Sequence, residues 1–204
     1  MQEVSADVSA LGALRRGIED SLAVKSALLQ DEALLHRIVA VGSVMIRSLQ
    51  AGGRIIFAGN GGSAADAQHL AAELVSRFEF DRPGLPSLSL STDTSMLTAI
   101  GNDYGYERLF QRQLEAQARR GDIFVGITTS GRSRNILAAF ESCRQLGVTS
   151  VAMAGLGGEL EPLADHVLRA PSRHTPRIQE CHILIGHMLC AQVEKALFGH
   201  LRPA

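Results

Sequence analysis

The chain has 204 residues, 46% of them hydrophobic and 20% charged, with a formal net charge of -1. A chain of this size can bury a full core as one domain, and its near-neutral charge argues against a broad nucleic-acid surface. No apolar run reaches membrane-spanning length, and residues 1–20 lack a basic-then-apolar leader pattern. Cys143, Cys181 and Cys190 have no CxxC spacing and cannot all pair internally, which suits a reducing compartment. The expectation is a cytoplasmic protein with neither membrane nor nucleic-acid partners.

From about Val8 to Gln50 apolar residues recur at helical spacing: Leu11, Leu14, Ile18 and Leu22, then Leu34, Leu35, Ile38, Val41, Met45 and Leu49. The spacing predicts two helices, the second capped by Asp31 and ended by Gly52-Gly53. Residues 1–52 therefore read as a helical pair used for packing or assembly. Arg54-Ile55-Ile56-Phe57-Ala58 is a short apolar run closed by glycine, and predicts a buried strand. Gly59, Gly61 and Gly62 let the backbone turn, and Ser63 reads as the N-cap of a helix opened by Ala64 and Ala65.

Beyond a loop from Phe80 to Pro86, Ser87-Leu88-Ser89-Leu90 reads as a second strand. Thr92-Asp93-Thr94 reads as the cap of a helix running to Ile100, and Gly101-Asn102-Asp103-Tyr104-Gly105 as a turn cluster. A helix from Glu107 to Arg119 leads to strand Ile123–Ile127. The polar run Thr128–Ser133 precedes a helix from Arg134 to Leu146. Strands at Thr149–Ala154 and Val167–Ala170 follow, and then a helix from about Thr175 to Phe198.

This alternation predicts an α/β fold, a parallel sheet with helices on both faces. Ile56-Phe57-Ala58-Gly59 with Ser63 is echoed by Ile123-Phe124-Val125-Gly126 with Ser130 at the same offset. Two similar strand-to-helix turns suit a doubly wound sheet whose ligand sits at the carboxyl ends of the strands. Gly59, Gly61 and Ala64 also fit the dinucleotide pattern G-x-G-x-x-A. The acidic residue that pattern requires would be Asp93, about 30 residues on rather than about 20, so the match is poor.

A strand, a glycine turn and a helix N-terminus together make an anion site, because free amides and the helix dipole point the same way. Thr128-Thr129-Ser130-Gly131-Arg132-Ser133 adds four hydroxyls in six residues at a second such junction. A helix cap needs only one or two, so a phosphate is the favoured occupant. No Walker lysine follows, so phosphate would serve as a handle rather than be transferred. His69 and Glu73 are four apart and share a helix face, an arrangement equally common on solvated surfaces. In the last helix, at about 100° per residue, His182 lies about 60° to one side of Gln179 and His187 about 80° to the other. Periodicity does not choose between these two histidines.

Taken together, Gly59–His69, Ala99–Gly105, Thr128–Ser133 and Arg177-Ile178-Gln179-Glu180 resemble the phosphoheptose isomerase family of the sugar isomerase (SIS) domain group. The resemblance runs over nearly the whole chain. It implies a single SIS domain over residues 1–204, a three-layer α-β-α sandwich with a five-stranded parallel, flavodoxin-like sheet preceded by two N-terminal helices. It implies conversion of D-sedoheptulose 7-phosphate to D-glycero-D-manno-heptose 7-phosphate through an enediol, at the start of nucleotide-activated heptose synthesis for surface polysaccharide. Carried onto matching positions, Asn60, Gly61, Gly62, Ser63, Thr128, Thr129, Ser130 and Ser133 would hold phosphate and sugar, and Asn102 and Asp103 would line the sugar site. Glu73 and His187 would be the acid–base pair. His69, Glu73, Gln179 and His187 would bind one zinc ion per subunit, Glu73 and Gln179 also touching substrate, and His182 would be a bystander. Thr128 stands where the family often has serine, with the hydroxyl retained. The family's homotetramer is implied too. A non-enzymatic relative, the DnaA initiator-associating SIS protein, shares the glycine loop and Arg-Ile-Gln-Glu but lacks counterparts of Glu73 and His187, both of which are present here.

Overall fold

A computed structural model describes residues 2–203. Two helices, α1 (Gln2–Gln30) and α2 (Glu32–Gln50), precede a repeating series: β1 (Ile55–Gly59), α3 (Gly62–Val75), β2 (Ser87–Ser89), α4 (Thr94–Tyr104), α5 (Leu109–Gln117), β3 (Ile123–Thr128), α6 (Arg134–Leu146), β4 (Thr149–Ala154), β5 (His166–Arg169) and α7 (Thr175–Phe198). The five strands form one parallel sheet in the order β2-β1-β3-β4-β5. This is the flavodoxin-like order, in which the chain reverses its direction of winding between β1 and β3. The loops after those two strands therefore open onto one crevice.

β1 and β3 are buried along their whole length, as parallel strands covered on both faces must be. Side chains alternate between two cores. Ile55, Phe57, Ile123, Val125 and Ile127 pack with α2, α3 and α7, whereas Ile56, Ala58 and Phe124 pack with α5 and α6. The paired register sets Ile55 opposite Ile123 and Ala58 opposite Gly126. The two echoed segments thus sit side by side, displaced by one residue from their sequence alignment.

The N-terminal pair divides sharply. α2 is capped by Asp31, whose Oδ1 accepts from the Leu34 amide, and it buries Leu34, Ile38, Val41 and Met45. α1 leaves Leu11, Leu14, Ile18 and Leu22 exposed. Only its C-terminal part joins the core, through Leu28 and Val24; polar contacts tie it to α7, where Arg177 Nη1 donates to the Gly17 carbonyl (2.6 Å) and Lys25 Nζ meets Glu180 Oε2 (3.0 Å).

Two local expectations are corrected. Ser63 is not an N-cap: α3 starts two residues earlier than expected, at Gly62 behind Gly61, whose φ of +55° is a conformation glycine adopts at little cost. Asn102 and Asp103 do not lie in a turn, because α4 continues through Gly101 to Tyr104. Gly101 is tolerated inside an exposed helix, and Gly105, at φ +84°, makes the break. Asp93, the acidic residue of the dinucleotide look-alike, caps α4 by accepting from the Met96 amide.

Candidate active site

The turn from β1 into α3 forms the first part of the site. No side chain caps α3, so its dipole end faces the loop without a competing carboxylate or hydroxyl. Ser63 is buried in the first turn, its amide donating to the Asn60 carbonyl (3.0 Å). A Cβ on Gly59 would collide with the Ser63 backbone, so the tight turn requires glycine there. The Asn60 side chain is fixed in place. It exchanges two hydrogen bonds with the Asn135 amide (2.9 and 2.8 Å), and Tyr106 Oη donates to its Oδ1 (2.9 Å).

The turn from β3 into α6 is the second part. Ser133 occupies the N-cap of α6 but makes no cap bond. Its hydroxyl pairs with Thr128 Oγ1 instead (2.9 Å). Ser130 Oγ accepts from the Arg132 amide (3.1 Å), and the Thr129 carbonyl accepts from the Gly155 amide (3.2 Å). Gly131 has φ +66° and packs against Gly157 and Gly158 so closely that a Cβ would clash. The run is therefore an ordered loop, with hydroxyls concentrated at the mouth of a helix whose first-turn amides no side chain caps.

The third part lies between α3 and α7, which run side by side in the same direction. Close approach is possible because Gly62 faces the Gln179 amide and Gly186 faces Leu70; a Cβ on Gly186 would come within 2.5 Å of that side chain. Two turns beyond the Gly62–Gln179 contact, His69 Nε2 lies 3.0 Å from His187 Nε2 and 3.1 Å from Glu73 Oε1. The donor atoms of His69, Glu73 and His187 all fall within 4.8 Å of one another. The group is accessible, with the His69 side chain 48% exposed and Glu73 24%. The structure thus brings together three of the four residues expected to bind zinc. Gln179 lies against Gly62 in the first turn of α3, seven residues before His69, or about 10 Å of helix rise.

Two facing imidazole nitrogens can share only one hydrogen between them, and a carboxylate supplies none. Three lone-pair atoms pointing into one small space are a donor set suited to a cation, and two nitrogens with one oxygen is a combination zinc accepts while leaving a position for substrate.

His182 faces the other way. It is wholly buried on α7 with neither ring nitrogen in a hydrogen bond, and burial pushes its imidazole down to about 4, the nearby Ala154 carbonyl opposing this slightly. Asn102 and Asp103 lie in the last turn of exposed α4, where Asn102 Nδ2 donates to Asp103 Oδ1 (2.8 Å).

Sequence reasoning missed several neighbours of the site. Asp66 sits one turn before His69 on α3 with Oδ2 buried and unpartnered; burial raises its pKa and the His69 charge lowers it, the net direction being up. Its spacing of three from His69 was the available signal. Phe78 stacks at 5.3 Å from the His187 ring, and Asn135 and Tyr106 hold Asn60. These three contacts span 109, 75 and 46 residues, and no local pattern announces them.

The SIS domain family matches residues 20–155. A phosphoheptose isomerase of Aneurinibacillus thermoaerophilus is 56% identical over 186 residues, covering 91% of this chain and 94% of that protein. Solved structures of phosphoheptose isomerases from Francisella tularensis and Neisseria gonorrhoeae superpose with TM-scores of 0.87 and 0.85, each at 36% identity and covering 91% of this chain and 98% of the other. Sequence, fold and the convergence of His69, Glu73 and His187 point the same way: this chain belongs to the phosphoheptose isomerase family of SIS-domain proteins.

Proposed function

We infer that the chain is an aldose–ketose isomerase acting on D-sedoheptulose 7-phosphate, giving D-glycero-D-manno-heptose 7-phosphate as the first step of nucleotide-activated heptose biosynthesis. The observation that carries this is the meeting of Glu73 and His187 across the α3–α7 seam, beside two anion-binding turns. Isomerisation moves a proton between adjacent carbons and another between the two oxygens they carry. Glu73 removes a proton from C1 of the ketose and, after that proton exchanges with solvent at the enediol stage, delivers one to C2. His187 delivers a proton to the carbonyl oxygen and accepts one from the neighbouring hydroxyl, so atoms and charge balance through the enediol.

Asn60, Gly61, Gly62 and Ser63 with Thr128, Thr129, Ser130 and Ser133 hold the phosphate and adjoining sugar, and Asn102 and Asp103 line the sugar end. The support is the pair of uncapped helix N-termini at the β1/β3 switch point, where a doubly wound sheet receives its ligand. His69, Glu73 and His187 would hold one zinc ion, with Gln179 as the fourth member of the set and a contact to substrate. Zinc there would polarise the carbonyl oxygen and stabilise the charge of the enediolate.

The whole chain is proposed to be one SIS domain whose N-terminal pair makes subunit contacts in a homotetramer. The apolar stripe Leu11, Leu14, Ile18 and Leu22, which α1 leaves uncovered, supports this, and light scattering that gave a monomer would remove it. Three buried, unpaired cysteines support a cytoplasmic setting, and the surface polysaccharide, lipopolysaccharide included, is the proposed destination of the heptose. Among the described residues no helix is long and apolar enough to cross a membrane.

The direct test is turnover of sedoheptulose 7-phosphate before and after chelation. Activity that chelation abolishes and added zinc restores is the expected result. A folded protein with no turnover in either state would overturn the isomerase reading and favour the non-enzymatic alternative.

A further inference from the structure

Below the His69–Glu73–His187 group lies a second charged cluster of the opposite character. Arg82 and Glu194 are 0% and 1% exposed, and Arg82 Nε donates to Glu194 Oε1 at 3.0 Å. Isolated buried charges are costly, and this pair is retained with nearly every lone pair and proton satisfied. Glu194 accepts from the amides of Phe78 (2.8 Å) and Glu79 (2.7 Å). Burial alone would raise its pKa, but these two amides and the guanidinium outweigh burial and hold the carboxyl below its ordinary value. Arg82 spends its remaining donors on the carbonyls that end α3: Glu73 (2.8 Å) and Leu74 (2.6 Å), then Ser76 (3.2 Å) and Pro83 (3.0 Å).

The placement of these contacts matters. The last carbonyls of a helix have no intrahelical partner, and a cation there satisfies them and complements the dipole. Glu73 is in that last turn, and its own carbonyl is one of those Arg82 holds. Glu194 lies seven residues after His187, two turns along the same face of α7. Phe78, whose amide Glu194 holds, stacks on the His187 ring. One buried ion pair therefore ties the end of α3, the loop behind it and the His187 face of α7 into a single unit.

We propose that Arg82 and Glu194 are positioning residues for the reaction: by clamping the last turn of α3 and Phe78 onto α7, they set the Glu73 carboxylate against His69 and His187. Neither touches substrate. The planar fork of Arg82 reaches several carbonyls at once, which lysine, a point donor, cannot do. This inference rests on Glu73 being the base.

The test compares Arg82→Lys and Glu194→Gln with Glu73→Gln, measuring kcat and KM for sedoheptulose 7-phosphate alongside the folded fraction by circular dichroism. In both clamp variants kcat is expected to fall about 10- to 100-fold, the range for outer partners of a reacting group, while KM stays within about twofold because the phosphate turns are untouched. Zinc affinity, read by competition with a chromophoric chelator, should weaken about 10-fold in the same variants. Wild-type kcat in both, with Glu73→Gln inactive, would overturn the clamp and leave the isomerase reading standing. A loss of kcat that merely follows the folded fraction would also overturn it, since the pair would then only hold the fold together. Full activity in Glu73→Gln would instead remove the premise about the base.

Discussion

The two walls of the cleft are made of different material. On the α3–α7 wall the reactive groups are side chains on the inner faces of two parallel helices, and Gly62 and Gly186 let the seam close. On the β3–α6 wall the useful groups are hydroxyls and backbone amides of a loop kept in shape by Gly131 and its glycine neighbours. Helix-borne side chains fix direction, which proton transfer needs; a loop of many small donors fixes charge, which a phosphate handle needs. The first wall should therefore govern kcat and the second KM.

The largest expected effect is on the first wall. Glu73→Gln keeps the size of the side chain but removes the proposed base, and kcat should fall by about 10² to 10⁴, with KM little altered. On the second wall, Ser130→Ala removes one donor toward a charged phosphate; at about 1.5 kcal/mol for such a hydrogen bond, KM should rise roughly tenfold with kcat kept. A steady-state comparison of the two variants checks the division. Equal loss of kcat in both would break it.

A smaller effect concerns how α7 is held. His182 anchors the helix as a neutral, buried imidazole, displaced from an ordinary value of 6.5 to about 4. Between those values the unfolded chain binds a proton that the folded chain excludes. Stability is therefore unaffected by this group above pH 6.5 and is lost as pH falls toward 4, by at most about 3 kcal/mol. Urea unfolding at pH 7 and pH 5 should show the loss, and His182→Leu should reduce it; an identical pH dependence in the variant would remove His182 as the cause.

The order of strands and helices follows from hydrophobic periodicity and glycine punctuation, which are local properties, and α6, β4 and α7 fall where those patterns place them. Errors arose where one residue type serves two purposes. Ser63 has the chemistry of a cap, yet Gly61 can take the positive φ that the turn demands. Gly101 has the look of a turn, yet nothing crowds it in exposed α4, and the break waits for Gly105. The convergence of His69 and Glu73 with His187 is a tertiary fact, and spacing alone left His182 an equal choice. Burial separates the two, because His182 faces the core and His187 faces His69. The Arg82–Glu194 clamp, 112 residues apart in the chain, was invisible for the same reason.

The central claim is that Glu73 on the α3–α7 wall moves the proton. It is tested most directly by running the isomerisation in D2O and following the C2 position of the aldose by NMR. Wild-type protein should place solvent deuterium at C2 as it turns over, and Glu73→Gln, still folded and still binding the sugar phosphate, should neither turn over nor incorporate label. Undiminished turnover in Glu73→Gln would contradict the account.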